Sequence, residues 1–191
     1  MQSNRFPSLT YLWCIASILL IIGGNVNADS KNDIEKRLQT ELLALGFPNG
    51  QLPTLTPALG NYVDVVEVNK LLFLSSAAPQ TPQSTFVKGR VPTEVSLADA
   101  IIASKLACVR QVNRMKNHLG DLNKVKKIVF INGKIQSQPD FTNHTLVVDG
   151  CSSFLVNVFG EKVGKHARTT GGLTSLPFNV TLEVETIVQV K

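Results

Sequence analysis

Aromatic residues are scarce in this 191-residue chain: one Trp, two Tyr and nine Phe, 6% in all. Charged residues are few at 17%, and there are only three histidines. Few aromatics means few stacking platforms of the kind that hold single-stranded nucleic acid. The basic residues are scattered (Lys88, Arg90, Lys124, Lys126, Lys127, Lys162, Lys165) and form no stripe along a phosphate backbone. DNA is excluded as a partner on these grounds, and RNA has thin support. No Cys-x-x-Cys or Cys/His ligand spacing occurs, which argues against zinc. The glycines form no phosphate loop, and no Ser/His/Asp order carries a supporting motif. The composition also excludes disorder, collagen-like repeats, coiled coil and a disulfide-dense scaffold.

What is present is apolar: 43% of residues, with a mean hydropathy of +0.11. Much of the excess lies in residues 9–22, behind a short start carrying Arg5 and ahead of Val26-Asn27-Ala28. That order reads as a secretory signal peptide cut after Ala28. The run is too short for a spanning helix, which needs roughly 20 apolar residues, so no membrane span is expected after removal. Arg5 leaves with the leader, which lowers the chain's net charge of +5 by one. Residues 29–191 then suffice for one domain with a proper core.

Two cysteines remain, Cys108 and Cys151, and in an oxidising compartment they either pair or stay buried as thiols. Asn143-His144-Thr145 and Asn179-Val180-Thr181 are glycosylation sequons, so Asn143 and Asn179 are expected at the surface.

Ile34, Leu38, Leu42 and Leu45 follow helical spacing, predicting a helix over 29–46 that Gly46 closes. A proline-rich linker follows to residue 58. Residues 62–68 and 71–75 read as a strand pair turning at Asn69-Lys70. Ser96, with Asp99 three residues on, caps a long helix that Gly120 ends. A strand over 125–131 and a second helix ended by Gly160 follow. Strands over about 166–174 and 180–190 close the chain. The order predicts an α/β layer: a mixed sheet with two helices on one face, plus the N-terminal helix. On the last strand Leu182, Val184, Val188 and Val190 share one parity; Glu183, Glu185, Ile187 and Gln189 share the other. Carboxylates interleaved on an apolar strand mark that second face as an interface or a site wall.

From residue 59 onward the chain resembles the RidA/YjgF family, also called the endoribonuclease L-PSP or RutC-like family, in its branch with an extra N-terminal helix. The resemblance rests on Gly60-Asn61-Tyr62-Val63, Leu71-Leu72-Phe73-Leu74-Ser75, Gly89-Arg90-Val91 and Leu119-Gly120-Asp121-Leu122. Its most specific stretch is Val158-Phe159-Gly160-Glu161 through Gly164-Lys165-His166-Ala167-Arg168, followed by Ser175-Leu176-Pro177 and Leu182-Glu183-Val184-Glu185. It implies a chorismate-mutase-like fold, a homotrimer with ligand clefts between subunits, and no metal or organic cofactor. The implied chemistry is hydrolysis of reactive enamines and imines to 2-keto acids and ammonia.

By this resemblance Arg168 binds a small carboxylate, for which a planar guanidinium offers two parallel donors. Its alternative is an ion pair with Glu183 or Glu185. Glu183 matches the carboxylate that places or activates water. Tyr62 and Ser75 match pocket-lining positions. The sequence departs from the family at Ser76 (often Gly), Asp149 (often Asn) and Thr170 (Cys in the best-studied type). The two long helices lie side by side in this fold, so a Cys108–Cys151 bridge is geometrically open. Two other readings stand beside the deaminase: a non-enzymatic trimer binding a carboxylate or a protein in the same clefts, and, least supported, an endoribonuclease.

Overall fold

The computed structural model describes the backbone from residue 26 and side chains from residue 33 to the C-terminus. Of the expected leader, residues 1–28, the first 25 lie outside the described residues, and the expected cut after Ala28 falls within the first helix. That helix, α1, spans Val26–Ala44. There follow β1 (Val65–Val68), β2 (Leu71–Ala77), α2 (Leu97–Leu119), β3 (Val125–Gln136), α3 (His144–Gly164), β4 (Ala167–Leu173) and β5 (Leu182–Val190). Among the described residues no helix is long and apolar enough to cross a membrane.

Local chemistry sets these boundaries. Asn69 and Lys70 both take positive φ, 48° and 64°, the twist that a two-residue hairpin turn requires between β1 and β2. Ser96 Oγ accepts from the Asp99 amide at 3.1 Å, and Gly120 ends α2 at φ 72°. Gly160 breaks α3 at φ 77°, as expected, but helical backbone resumes beyond it to Gly164. The predicted strand over 62–68 starts late: Tyr62 sits in a turn, its amide bonded to Gly60 O, and pairing begins only at Val65. β3 outruns its predicted end by five residues, because Asn132 and Lys134 alternate outward while Gly133 and Ile135 point inward.

The sheet order is β1-β2-β5-β3-β4, with β3–β4 parallel and the other pairs antiparallel. Helices α2 and α3 cover one face, and α1 lies outside α3, burying Leu38 and Leu42. Arg37 Nε bonds Val158 O at 2.9 Å and Asn157 bonds Glu41 at 2.8 Å, fixing α1 on α3. The core holds Ile128, Ile131 and Ile135 of β3 under Phe154 and Leu155 of α3, all fully buried. Burial of each such side chain contributes roughly 1.5–3 kcal/mol.

Gly150 lets α2 and α3 approach, since a side chain there would collide with the Ile101 carbonyl. At this crossing Cys108 and Cys151 form a disulfide with Cα atoms 5.4 Å apart. For a loop of 43 residues the chain-entropy model assigns such a bridge about 4 kcal/mol. Asn143 and Asn179 are both exposed.

The alternation predicted for β5 is present. Leu182, Val184, Thr186, Val188 and Val190 are buried against the helices, while Glu183, Glu185, Ile187 and Gln189 are half-buried on the open face. Beside Ile187 that face carries Phe130, Val66 and Phe73, the last 44% exposed.

Candidate functional site

The predicted site residues fall into two groups, one on each side of the sheet. Arg168 lies on edge strand β4 opposite Ile131, so its side chain turns to the helix face. There Nη1 donates to Asp149 at 2.6 Å and to Ser152 Oγ at 2.9 Å. Thr170, two residues on, faces the same way and bonds the His144 carbonyl at 3.5 Å. Because both Arg168 contacts use Nη1, the guanidinium's other edge has no protein partner among the described residues. Asp149, Ser152, His166 and Arg168 line an open depression of about 480 Å³.

His166 sharpens this half. Its Nδ1 lies 2.7 Å from Gly164 O, an atom that only accepts, which puts the ring proton on Nδ1. Nε2 is then the acceptor for the Ser152 hydroxyl at 3.1 Å. Burial lowers the His166 pKa against the raising effect of the Gly164 carbonyl, and the Arg168 and Lys127 charges lower it further. The ring is held as a neutral base. The spacing of His166 and Arg168 was legible in the sequence; Ser152 was not, because only the α3–β4 packing brings it to them.

The second group lies beyond the end of β1, where β2 has no neighbour on its outer side. β1 pairs only with residues 71–74, leaving the carbonyls of Ser75, Ser76 and Ala78 as an unpaired edge. Two α2 arginines reach these carbonyls, and Gln111 Nε2 also donates to Ser75 O at 3.1 Å. Arg114 reaches Ser75 O at 2.6 Å and Ser76 O at 3.2 Å and pairs with Asp64 at 2.6 Å. Arg110 reaches Ala78 O at 3.3 Å and Thr56 Oγ1 at 3.1 Å, its guanidinium 5.3 Å from the Phe86 ring centre. Burial lowers the pKa of both; Arg114 lowers that of Arg110 further, and Asp64 partly offsets this in each. With Tyr62, Ser76, Glu183, Phe86 and Phe178 they line a cavity of about 230 Å³.

Sequence reasoning missed this arginine pair. The signal was present: after Asp99, α2 holds Lys105, Arg110, Arg114 and Lys116 with no acid to answer them.

Glu183 lines that cavity with no ion-pair partner among the described residues, whereas Glu185 is tied down. The Glu185 carboxylate accepts from Ser76 Oγ and Asn132 Nδ2, both at 3.0 Å, and pairs with Lys134. Burial pushes its pKa up, but the bonds from Lys134, Asn132 and Ser76 outweigh this and hold it below the usual carboxylate range. Neither glutamate meets Arg168, whose ion pair is with Asp149. Ser75 stands apart from the Tyr62 cavity: its hydroxyl bonds Val63 O at 2.7 Å, and it lines a separate open-face depression with Phe73, Phe130 and Glu185. Ser76 does, while also holding Glu185. Within one chain Arg168 and Glu183 therefore stand on opposite faces with β3 between their strands.

A mixed sheet in this order, covered by helices on one face and carrying a polar half-site on each side, defines a chorismate-mutase-like α/β protein. Residues 40–188 match the family model described as YjgF/chorismate mutase-like, a candidate endoribonuclease group. The chain belongs to this YjgF/chorismate mutase-like family. It is similar to Protein TCP17 of Trypanosoma cruzi, 31% identical over 153 residues, covering 80% of this chain and 94% of that protein. Among solved structures it resembles protein Atu1372 of Agrobacterium tumefaciens, with a TM-score of 0.74 and 34% identity, covering 86% of this chain and 97% of that one. A candidate endoribonuclease from Shewanella oneidensis superposes with the same TM-score at 26% identity, covering 83% and 100% of the two chains.

Proposed function

We propose that this protein is a secreted enamine/imine deaminase that hydrolyses 2-imino acids to 2-keto acids and ammonia, in clefts between the subunits of a homotrimer. The observation that carries the reading is the division of the site. The Arg168 group lies on edge strand β4 and the Tyr62–Glu183 group at the end of β2, with β5 and β3 between those strands. That separation favours a ligand held between two chains over one held within a single chain. The partly apolar open face with Phe73, Phe130 and Ile187 supplies a surface to bury on assembly.

In this reading Arg168 of one subunit binds the ligand carboxylate through its free edge, with Asp149 and Ser152 fixing the other. Glu183 of the neighbour takes a proton from water as the oxygen adds to C2 of the imine. The nitrogen is protonated, the C2–N bond breaks as the carbonyl forms, and ammonia leaves. Positioning supplies most of the effect, since the imine is already electrophilic. The disulfide and the exposed sequons support passage through an oxidising compartment. Against ribonuclease activity, the two arginines of the cavity are buried beneath the linker and bind protein carbonyls rather than tracking a surface groove.

Asp149 favours a second reading, a non-enzymatic carboxylate-binding trimer: its charge cancels that of Arg168 and competes with an anionic ligand. Ammonia release from iminoalanine generated in situ separates the two. The deaminase reading expects release well above buffer for wild type and a loss of about 100-fold in Arg168→Ala, within the range of one lost charged contact in the transition state. Wild-type release equal to buffer overturns it, and sedimentation as a monomer overturns the trimer.

A further inference from the structure

Arg110 is a buried cation, 7% exposed, that forms no direct ion pair among the described residues, with Asp64 acting on it only from beyond contact. Its partners are two neutral oxygens, Ala78 O and Thr56 Oγ1, while its Nε is buried with no acceptor. Of the two carboxylates at this site, Asp64 is committed to Arg114, and Glu183, which lines the same cavity, forms an ion pair with neither arginine. A guanidinium has five N–H donors, so Arg110 keeps a surplus where water is scarce. A buried charge left in this state is disfavoured unless something pairs with it. Arg114, one turn away, adds to the positive potential instead of relieving it.

The empty volume beside Arg110 is the Tyr62–Glu183 cavity, lined by Phe86 on the inside and by Phe178 and Leu59, both exposed, at its mouth. Apolar walls strengthen any ion pair formed inside, and the aromatic rings offer contact to a short methylene chain. Phe86, over which the Arg110 guanidinium sits, fixes the cation's position without neutralising it.

We infer that this cavity is an anion subsite whose cation is Arg110, and that the ligand carries a second carboxylate at the end of a short aliphatic chain. This deepens the deaminase reading and rests on it for the location of the first carboxylate. The α-carboxylate lies on Arg168 of one subunit, the reacting C2 lies near Glu183, and the terminal carboxylate reaches Arg110 of the neighbour. The substrate class is then the 2-imino dicarboxylates, and 2-oxo dicarboxylates are the products. A ligand with a neutral side chain would leave Arg110 unpaired and sacrifice the contact.

The test is equilibrium binding by calorimetry to the full chain, with glutarate and 2-oxoglutarate as dicarboxylate probes and butyrate and 2-oxobutyrate as monocarboxylate controls. Wild type is expected to bind each dicarboxylate at least tenfold more tightly than its control. Arg110→Gln is expected to bring that ratio within twofold, and Arg110→Lys to keep part of it. A cooperative melt verifies that each variant is folded; Arg110→Lys also carries the test should Arg110→Gln not fold. A wild-type ratio near one, or a ratio unchanged in either folded variant, overturns the inference. Dicarboxylate selectivity with no ammonia release from either iminoalanine or 2-iminoglutarate generated in situ would sink the deaminase reading and leave the subsite standing. Turnover of iminoalanine without selectivity would do the reverse.

Discussion

The two halves of the candidate site hold their arginines in opposite ways. Arg168 stands on an edge strand, its side chain 20% exposed, with one edge anchored to Asp149 and Ser152 and the other open. Arg114 is 3% exposed and engaged through both Nη atoms, though not through Nε, holding the β2 carbonyls while it answers Asp64. The first arrangement leaves one edge of a charged group open. The second uses a charge as structure. Position on the sheet decides between them: β4 offers Arg168 solvent, whereas the linker over residues 53–56 seals α2 through Asn113 to Pro53 O and Arg110 to Thr56.

The contrast breaks most sharply on removal of each arginine. Arg114→Ala strands Asp64 and the Ser76 carbonyl, Ser75 O keeping Gln111, and a loss of about 3–5 kcal/mol in urea unfolding is expected, the range for breaking a buried pair. Arg168→Ala is expected to cost under about 1 kcal/mol by the same measurement, as for partly exposed pairs. Equal losses would erase the distinction. Glu183→Gln is expected to slow ammonia release about tenfold without moving the midpoint, the modest end of acid–base contributions. Glu185→Gln leaves Lys134 without its partner and is expected to lower the midpoint while sparing turnover. Asp149→Asn releases Arg168 from its competing charge, and a rise of about threefold in carboxylate affinity is expected by calorimetry, a shift below 1.4 kcal/mol.

The smallest effect is in pH dependence. His166 has a lowered pKa in the folded chain, so the unfolded chain takes up its proton first. Its contribution is complete above the unfolded value of about 6.5 and is lost as pH falls toward the folded pKa. His166→Gln is expected to flatten the stability curve below pH 6.5. The Glu185 contribution runs lower, present above the ordinary carboxylate range and lost as pH falls through its depressed folded pKa. A wild-type curve with no slope below pH 6.5 would contradict the neutral His166.

Much of the fold was legible because its signals are local. The Ser96 cap, the Asn69-Lys70 turn, Gly120 and the parity of β5 each depend on a few adjacent residues, and each appears where the sequence puts it. The early start given to β1 and the short end given to β3 fail for a tertiary reason: Asp64 is drawn off to Arg114, and β4 extends the pairing of β3 to Gln136. The site was legible only residue by residue. Arg168, Asp149 and Thr170 do converge, and Tyr62, Ser76 and Glu183 converge elsewhere, but the separation of the groups depends on which face each strand position takes. Arg110 was invisible because its burial comes from a linker more than fifty residues upstream.

The disulfide gains a second meaning from this layout. Cys108 is two residues from Arg110, and Cys151 lies between Asp149 and Ser152. The bridge thus ties together α2 and α3, the two helices that supply Arg110 to one half-site and Asp149 and Ser152 to the other. Since a cleft between subunits would take one half from each neighbour, every bridge in a closed ring would link two different clefts. Cutting one would loosen a pair of them together, so a thiol reductant is a way to ask whether the sites of the assembly respond singly or in company.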